Sequence, residues 1–191
     1  AIADFLEAED SAGDEGTRAP FHISTGAGTV LRYGENPDQE AAFYPFAGRA
    51  EGIAALEQHH GKAHSYNNLL HLDGALLSLA PFAFSPRPAA CIVKHTTPCG
   101  LAVGETLSEA YDKALATDPV SAFGSVISFN RSVDRATAEA LSSLFVECIV
   151  APGFSPDAME ILTQKKNVRL LSLPSSSPAS GLEPTRQAWW G

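Results

Sequence analysis

No stretch of about 18 consecutive apolar residues occurs in this 191-residue sequence, which removes a membrane-spanning helix from the reading. Lysine and arginine are missing from residues 1–16, where six acids stand (Asp4, Glu7, Glu9, Asp10, Asp14 and Glu15). That opening lacks the basic start of a secretory signal. Sixteen acids and thirteen bases are left for the remainder, a balance of −3 against −9 for the whole chain. Most of the charge belongs to one arm. A near-neutral body without a Lys/Arg-rich run offers no footprint for a long nucleic acid, while a small anionic ligand stays compatible with it. Cysteine is scarce as well. Cys91, Cys99 and Cys148 are odd in number and widely spaced, which suits reduced thiols better than a disulfide framework. The expectation is a soluble, cytoplasmic protein.

Several chemical signatures are absent. The sequence has no Gly-x-x-x-x-Gly-Lys-Ser/Thr loop, no Gly-x-Gly-x-x-Gly and no Gly-x-Ser-x-Gly, so P-loop, dinucleotide-binding and hydrolase-elbow readings lack support. His95 is followed by Thr-Thr, and Pro98-Cys99 has no second cysteine three residues on, so the zinc deaminase signature is missing and no catalytic zinc is expected.

What is present is a chain that is 45% hydrophobic and 18% charged, enough for one substantial core. Residues 1–28 are acidic and then Gly/Ser/Thr-rich, as in a linker or the tail of a preceding domain. The regular body spans residues 29–173, and a Pro/Ser-rich connector occupies residues 174–191. Short apolar runs at Ala89–Val93, Phe123–Phe129, Cys148–Ala151 and Val168–Leu173 read as strands. Helical spacing follows Thr106-Leu-Ser-Glu109 until Asp118-Pro119, recurs over Val133–Phe145, and opens again at Ser155-Pro156 through Lys165. Strands alternating with helices predict an α/β fold with a largely parallel sheet and its chemistry in the connecting loops.

Four motifs can carry that chemistry. In Arg32-Tyr33-Gly34-Glu35-Asn36-Pro37, the arginine can grip a phosphate and the tyrosine cover a planar ring, or the segment is an ordinary turn with a solvated arginine. In Lys62–Asn68, the pair Asn67-Asn68 can read amide groups of a heterocycle, although Ser and Asn here also make good caps for the apolar stretch Leu69–Leu79. Lys94-His95 ends a buried strand at a Thr/Pro/Gly turn, where a lysine can act as a base and a histidine move a proton, unless both are merely solvated at a loop mouth. Asp118–Ser125 is a small-residue turn whose backbone can approach a ligand, or pack helix on strand. Glu147 is an acid in an apolar context, either paired or at an edge facing solvent.

Together and in this order, Arg32–Gln39, His64–Asn68, Lys94–Gly100 and Asp118–Ser125 resemble the signature segments of the AICAR transformylase region of bifunctional purine biosynthesis enzymes, over about residues 29–173. The stretches Ile149–Gly153 and Lys165–Leu170 fit too. The resemblance implies a cytidine-deaminase-like layered fold, the first of two tandem repeats, without the deaminase zinc. It also implies formyl transfer from 10-formyltetrahydrofolate, the cosubstrate, to the 5-amino group of AICAR. In that reading Lys94 accepts the proton and His95 assists. Arg32, Tyr33, Asn67, Asn68, Phe123, Gly124 and Glu147 contact or frame AICAR. The partners so implied are a second transformylase repeat, a preceding IMP cyclohydrolase domain and a homodimeric full-length enzyme; neither nucleic acid nor membrane is among them. Three positions depart from the family pattern: Asp38 stands for a histidine, Thr97 for an asparagine and Ser125 for a glycine. Asp38 motivates the alternative of a catalytically impaired nucleotide-binding module of the same fold.

Overall fold

The computed structural model describes residues 23–48 and 51–173; the acidic arm to residue 22 and the connector 174–191 lie outside the described residues. Eight strands occur among them, β1 (Thr29–Val30), β2 (Ala42–Phe43), β3 (Glu57–His60), β4 (Ala89–Lys94), β5 (Thr97–Val103), β6 (Ser125–Phe129), β7 (Val146–Ala151) and β8 (Arg169–Ser172). Four α-helices accompany them, α1 (Tyr66–Leu79), α2 (Leu107–Thr117), α3 (Arg135–Leu141) and α4 (Pro156–Leu162). β1 and β2 form a small ribbon, and the other six strands make one sheet in the order β3-β8-β7-β6-β4-β5.

That sheet is mixed rather than largely parallel. β6, β7 and β8 run parallel, but β4 is antiparallel to both β5 and β6, and β3 is antiparallel to β8. The expectation failed at β5, whose Pro98 and Gly100 read as a turn. Pro98 is accommodated because β5 is an edge strand. A tight β4–β5 hairpin therefore replaces the expected strand-to-helix connection, and a hairpin is antiparallel by construction.

The strands alternate between two apolar layers. Ala90 and Ile92 of β4 with Ile127 and Phe129 of β6 face α2, α3 and α4. Ala89, Cys91 and Val93, with Val126, Cys148 and Val150, face the buried stripe Leu72, Ala75, Leu76 and Leu79 of α1. Three helix starts follow the caps expected at Ser65, Thr106 and Ser155, and Asp134 supplies a fourth. The side chains of Ser65, Thr106, Asp134 and Ser155 each accept a backbone N–H three residues on. At α2 the carboxylate of Glu109 reaches past Thr106 and accepts from the Glu105 N–H at 2.7 Å. Two helices are shorter than their apolar patterns. α3 stops at Leu141, where Lys165 Nζ donates to the carbonyls of Leu141 (3.3 Å) and Leu144 (2.7 Å), and α4 stops at Leu162. Burial pushes the thiols of Cys91 and Cys148 up to about 12, so both are inert apolar filler at neutral pH.

α1 is the α-helix that covers its side of the sheet among the described residues, so its apolar stripe is the place to test the packing. Leu72→Ala should destabilise by about 2–5 kcal/mol in urea unfolding, whereas Leu77→Ala, at a position 46% exposed on the same helix, should stay within about 0.5 kcal/mol.

Candidate functional site

The polar residues singled out by sequence gather at one end of the sheet. Because β4 runs opposite to β6 and β7, its carboxyl end, with Lys94, lies beside the amino ends of β6 and β7. Four segments converge there: the β4–β5 turn, the turn before β6, the start of β7 and the N-terminus of α1.

Lys94 is half-buried, and its Nζ donates to the carbonyl oxygens of Phe123 (2.7 Å) and Gly124 (3.2 Å). Gly124 has φ +70°, which favours glycine at this turn, and a Cβ here would lie 3.1 Å from Lys94 Nζ and crowd the lysine. Its N–H donates to Phe145 O at 2.8 Å, and the rings of Phe123 and Phe145 stack obliquely at 5.1 Å. Phe123 is 62% exposed, so an apolar shelf borders the lysine.

Glu147 owes its direction to a β-bulge. Ser125 pairs with Val146 but Val126 pairs with Cys148, which makes Glu147 the extra residue. Val146 packs in the layer of α2–α4, while Cys148 packs in the layer of α1. The bulge turns the glutamate toward α1 as well, where its Oε2 accepts from Asn68 Nδ2 at 2.6 Å. Asn68 is 2% exposed and satisfied at both ends of its amide. Its Oδ1 accepts from Ser65 N (3.0 Å) and Ser65 Oγ (3.1 Å), closing a capping box with asparagine in the place usual for glutamate. Of the two readings of this residue, capping is the one the structure displays, and the remaining amide nitrogen is taken by Glu147.

The Arg32–Pro37 segment docks on the same helix start. Asn67 Nδ2 donates to Glu35 O (2.9 Å), Arg32 N to His64 O (2.8 Å), and Tyr66 N to Tyr33 O (3.0 Å). The Arg32 side chain is exposed, with its guanidinium carbon 5.2 Å from the centre of the Tyr33 ring. Arg169, only 4% exposed, anchors the approach to this helix by donating to the carbonyls of Lys62 and Ala63 at 3.0–3.3 Å. Burial first, and then the Arg169 charge, hold His64 down to about 4, so its ring is neutral at physiological pH.

The structure brings Lys94, Phe123 and Gly124 into contact, joins Asn68 to Glu147, and attaches Arg32, Tyr33 and Asn67 to the start of α1. It adds two residues that the sequence reading passed over. His71 stands edge-on to His95, with ring centres 5.9 Å apart and planes at 90°. Arg169 was concealed inside an apolar strand pattern. The signal for His71 was available, since Asn67, Asn68 and His71 are one helical turn apart. Asp38 is exposed on the turn closed by Gln39 N and Asn36 O (3.1 Å). Among the described residues no group of three or more His, Cys, Asp and Glu side chains is placed to hold a metal ion, and no helix is long and apolar enough to cross a membrane.

A mixed α/β domain with a lysine, two histidines and a helix-bound glutamate at one end of its sheet is the class of protein this geometry defines. A family model described as "AICARFT/IMPCHase bienzyme" matches residues 1–190, and the chain belongs to that family. It is 47% identical over 176 residues to the bifunctional purine biosynthesis protein PurH of Thermosynechococcus vestitus, covering 91% of this chain and 34% of that protein. It is 51% identical over 148 residues to the PurH of Bacillus subtilis, covering 77% of this chain and 28% of that protein. The chain thus spans about a third of the length of the curated relatives it matches. Among solved structures, RibD of Acinetobacter baumannii (form 1) is 17% identical with a TM-score of 0.40 over 56% of this chain and 35% of that one. The family assignment rests on the sequence match.

Two substitutions test this construction. Asn68→Asp sets a second carboxylate against Glu147 and should cost about 2 kcal/mol at pH 7. The like charges raise the folded-state pKa of the pair, so the lost stability should return as pH falls below that raised value and grow again as pH rises through it. Denaturant midpoints measured from pH 4 to 8 read this directly. Ser125 is fully buried and its Oγ has no hydrogen-bond partner among the described residues. Ser125→Ala should therefore raise thermal stability, by about 1 kcal/mol at the transition.

Proposed function

We propose that the chain carries the proton-accepting pair and part of the nucleotide site of a formyltransferase that moves the formyl group of 10-formyltetrahydrofolate to the 5-amino group of AICAR, in the purine biosynthesis to which its family belongs. The observation that carries this reading is the hydrogen bonding of Lys94. Two of its N–H groups are matched by the carbonyls of Phe123 and Gly124. In the neutral amine those two bonds use both donors, and the lone pair is left along the remaining tetrahedral direction, as a proton acceptor requires.

The chemistry asks for little else from this region. The 5-amino nitrogen attacks the formyl carbon, the C–N bond to the folate N10 breaks, the amine proton passes to Lys94, and N10 takes up a proton. An aromatic-carboxamide amine is a weak nucleophile, so holding it against the carbonyl carbon supplies much of the acceleration. Arg32 would take the phosphate and Tyr33 would lie along the ribose or base. Asn67, Asn68 and Glu147 would frame the carboxamide, Phe123 would offer a ring face, and Gly124 would let the ligand approach the backbone. His95 would contact AICAR and assist the transfer. Residues 29–173 would be the first of two repeats of a cytidine-deaminase-like fold. The second repeat would bring most of the folate contacts, within a homodimer that also carries an IMP cyclohydrolase domain.

The test is a chimera. The matching third of the Thermosynechococcus vestitus protein is replaced by this chain, and formyl transfer and AICAR affinity are measured. Lys94→Ala should lower kcat by at least about 10²-fold while AICAR affinity stays within about threefold. Unchanged turnover would remove Lys94 from the base role. AICAR binding that persists while the chimera with native Lys94 gives no transfer would favour a binding module instead.

A further inference from the structure

The turn after Lys94 is under backbone strain. His95 has φ +51° and Thr96 φ +66°, two consecutive residues in the left-handed region, and neither is glycine. Each such residue is strained, and a β-branched threonine is among the least tolerant. A turn like this persists only where its surroundings fix it. The β4–β5 ladder fixes its two ends, pairing Lys94 with Thr97. Its outer side meets α1. Gly74 approaches so closely that a Cβ there would lie 2.7 Å from Thr96 O and 3.2 Å from Thr96 Cα. One turn earlier on the same helix, His71 presents its ring edge-on to the face of His95 or the reverse, at 5.9 Å and 90°.

We propose that His71 is a positioning residue for His95: α1 grips the strained turn at two points, backbone to backbone at Gly74 and ring to ring at His71, and the second grip sets the direction of the His95 imidazole. A perpendicular pair at this distance is a favoured ring geometry that biases an otherwise exposed side chain toward one rotamer. The grip belongs to the same helix face that holds Glu147 through Asn68, so one rigid element aligns the acid and the imidazole.

The charges around His71 decide when the grip holds. Facing it are His95 on the turn, Glu147 on β7 and Lys94 on β4. Burial, and then the charge of His95, lower the pKa of His71; Glu147 raises it and Lys94 lowers it further, with the net direction downward. A depressed histidine favours the folded arrangement above the ordinary value near 6.5, and that contribution is lost as pH falls through the folded value. At neutral pH His71 is therefore uncharged and can lie against its neighbour without repulsion. Protonation of His71 as pH falls sets a charge against His95 and Lys94, and the contact opens.

That His95 orientation matters for transfer rests on the function proposed above; the orientation itself does not. The experiment is a histidine-ring nitrogen–proton correlation titration of the 191-residue chain, run on the native sequence, His71→Ala, His71→Phe and His95→Asn. In His95→Asn the titration of His71 should move upward toward the ordinary value. In His71→Ala the His95 ring resonances should collapse toward those of a freely rotating surface histidine. In His71→Phe, which keeps the ring but cannot titrate, they should remain dispersed, and the acid-induced opening should disappear. His95 resonances unchanged in His71→Ala, or a His71 titration indifferent to His95→Asn, would overturn the proposal. A chimera with native Lys94 that binds AICAR and transfers nothing would count against the proposed function and would leave the titration results for the chain standing.

Discussion

One buried amide ties the candidate site together. Asn68 uses its oxygen to cap α1 through Ser65 and its nitrogen to hold Glu147, so the first turn of the helix and the start of strand β7 are fixed to each other by a single side chain. An unsatisfied amide at 2% exposure would cost a few kcal/mol, which makes the two bonds jointly obligatory. The Arg32–Pro37 segment then hangs on the same helix start by three hydrogen bonds, and the strained β4–β5 turn rests on its third turn. Helix packing and site geometry are in this sense one constraint: the apolar stripe that places α1 on the sheet also places every polar group that α1 carries.

Much of this architecture is legible in the sequence where the signal is local. Caps at Ser65, Thr106 and Ser155 have the side-chain chemistry of helix starts, and the strands of the core are apolar runs of ordinary length. The β4–β5 hairpin was hidden because Pro98 and Gly100 imitate a loop, and only the edge position explains how they sit in a strand. Helix ends were overestimated because the apolar spacing continues past the point where Lys165 takes over carbonyls at the end of α3 and where backbone turns succeed α4.

The site was legible as a set of motifs and much less as a geometry. Lys94 and Gly124 meet across an antiparallel pairing that no local pattern specifies. Glu147 was recognised as an acid out of place, but its direction comes from a one-residue bulge that depends on the β6 register. His71 and Arg169 escaped for opposite reasons, the first because a lone histidine on an apolar helix is unremarkable, the second because its long side chain is folded into a strand that looks wholly apolar. Their partners lie in distant segments, and contact across sequence distance is what single-sequence reading lacks.

The reversal of β4 also decides the electrostatic character of this end of the molecule. In the parallel part of the sheet, α3 and α4 begin at the carboxyl ends of β6 and β7, the far end from Lys94. Their positive poles point away from the site. α2, by contrast, ends at Asp118 and delivers the carbonyl-rich turn that holds Lys94. Among the described helices only the capped start of α1 faces this end, so positive charge here comes from side chains such as Arg32 and Lys94 rather than from the several helix dipoles that doubly wound folds direct at one edge of their sheets.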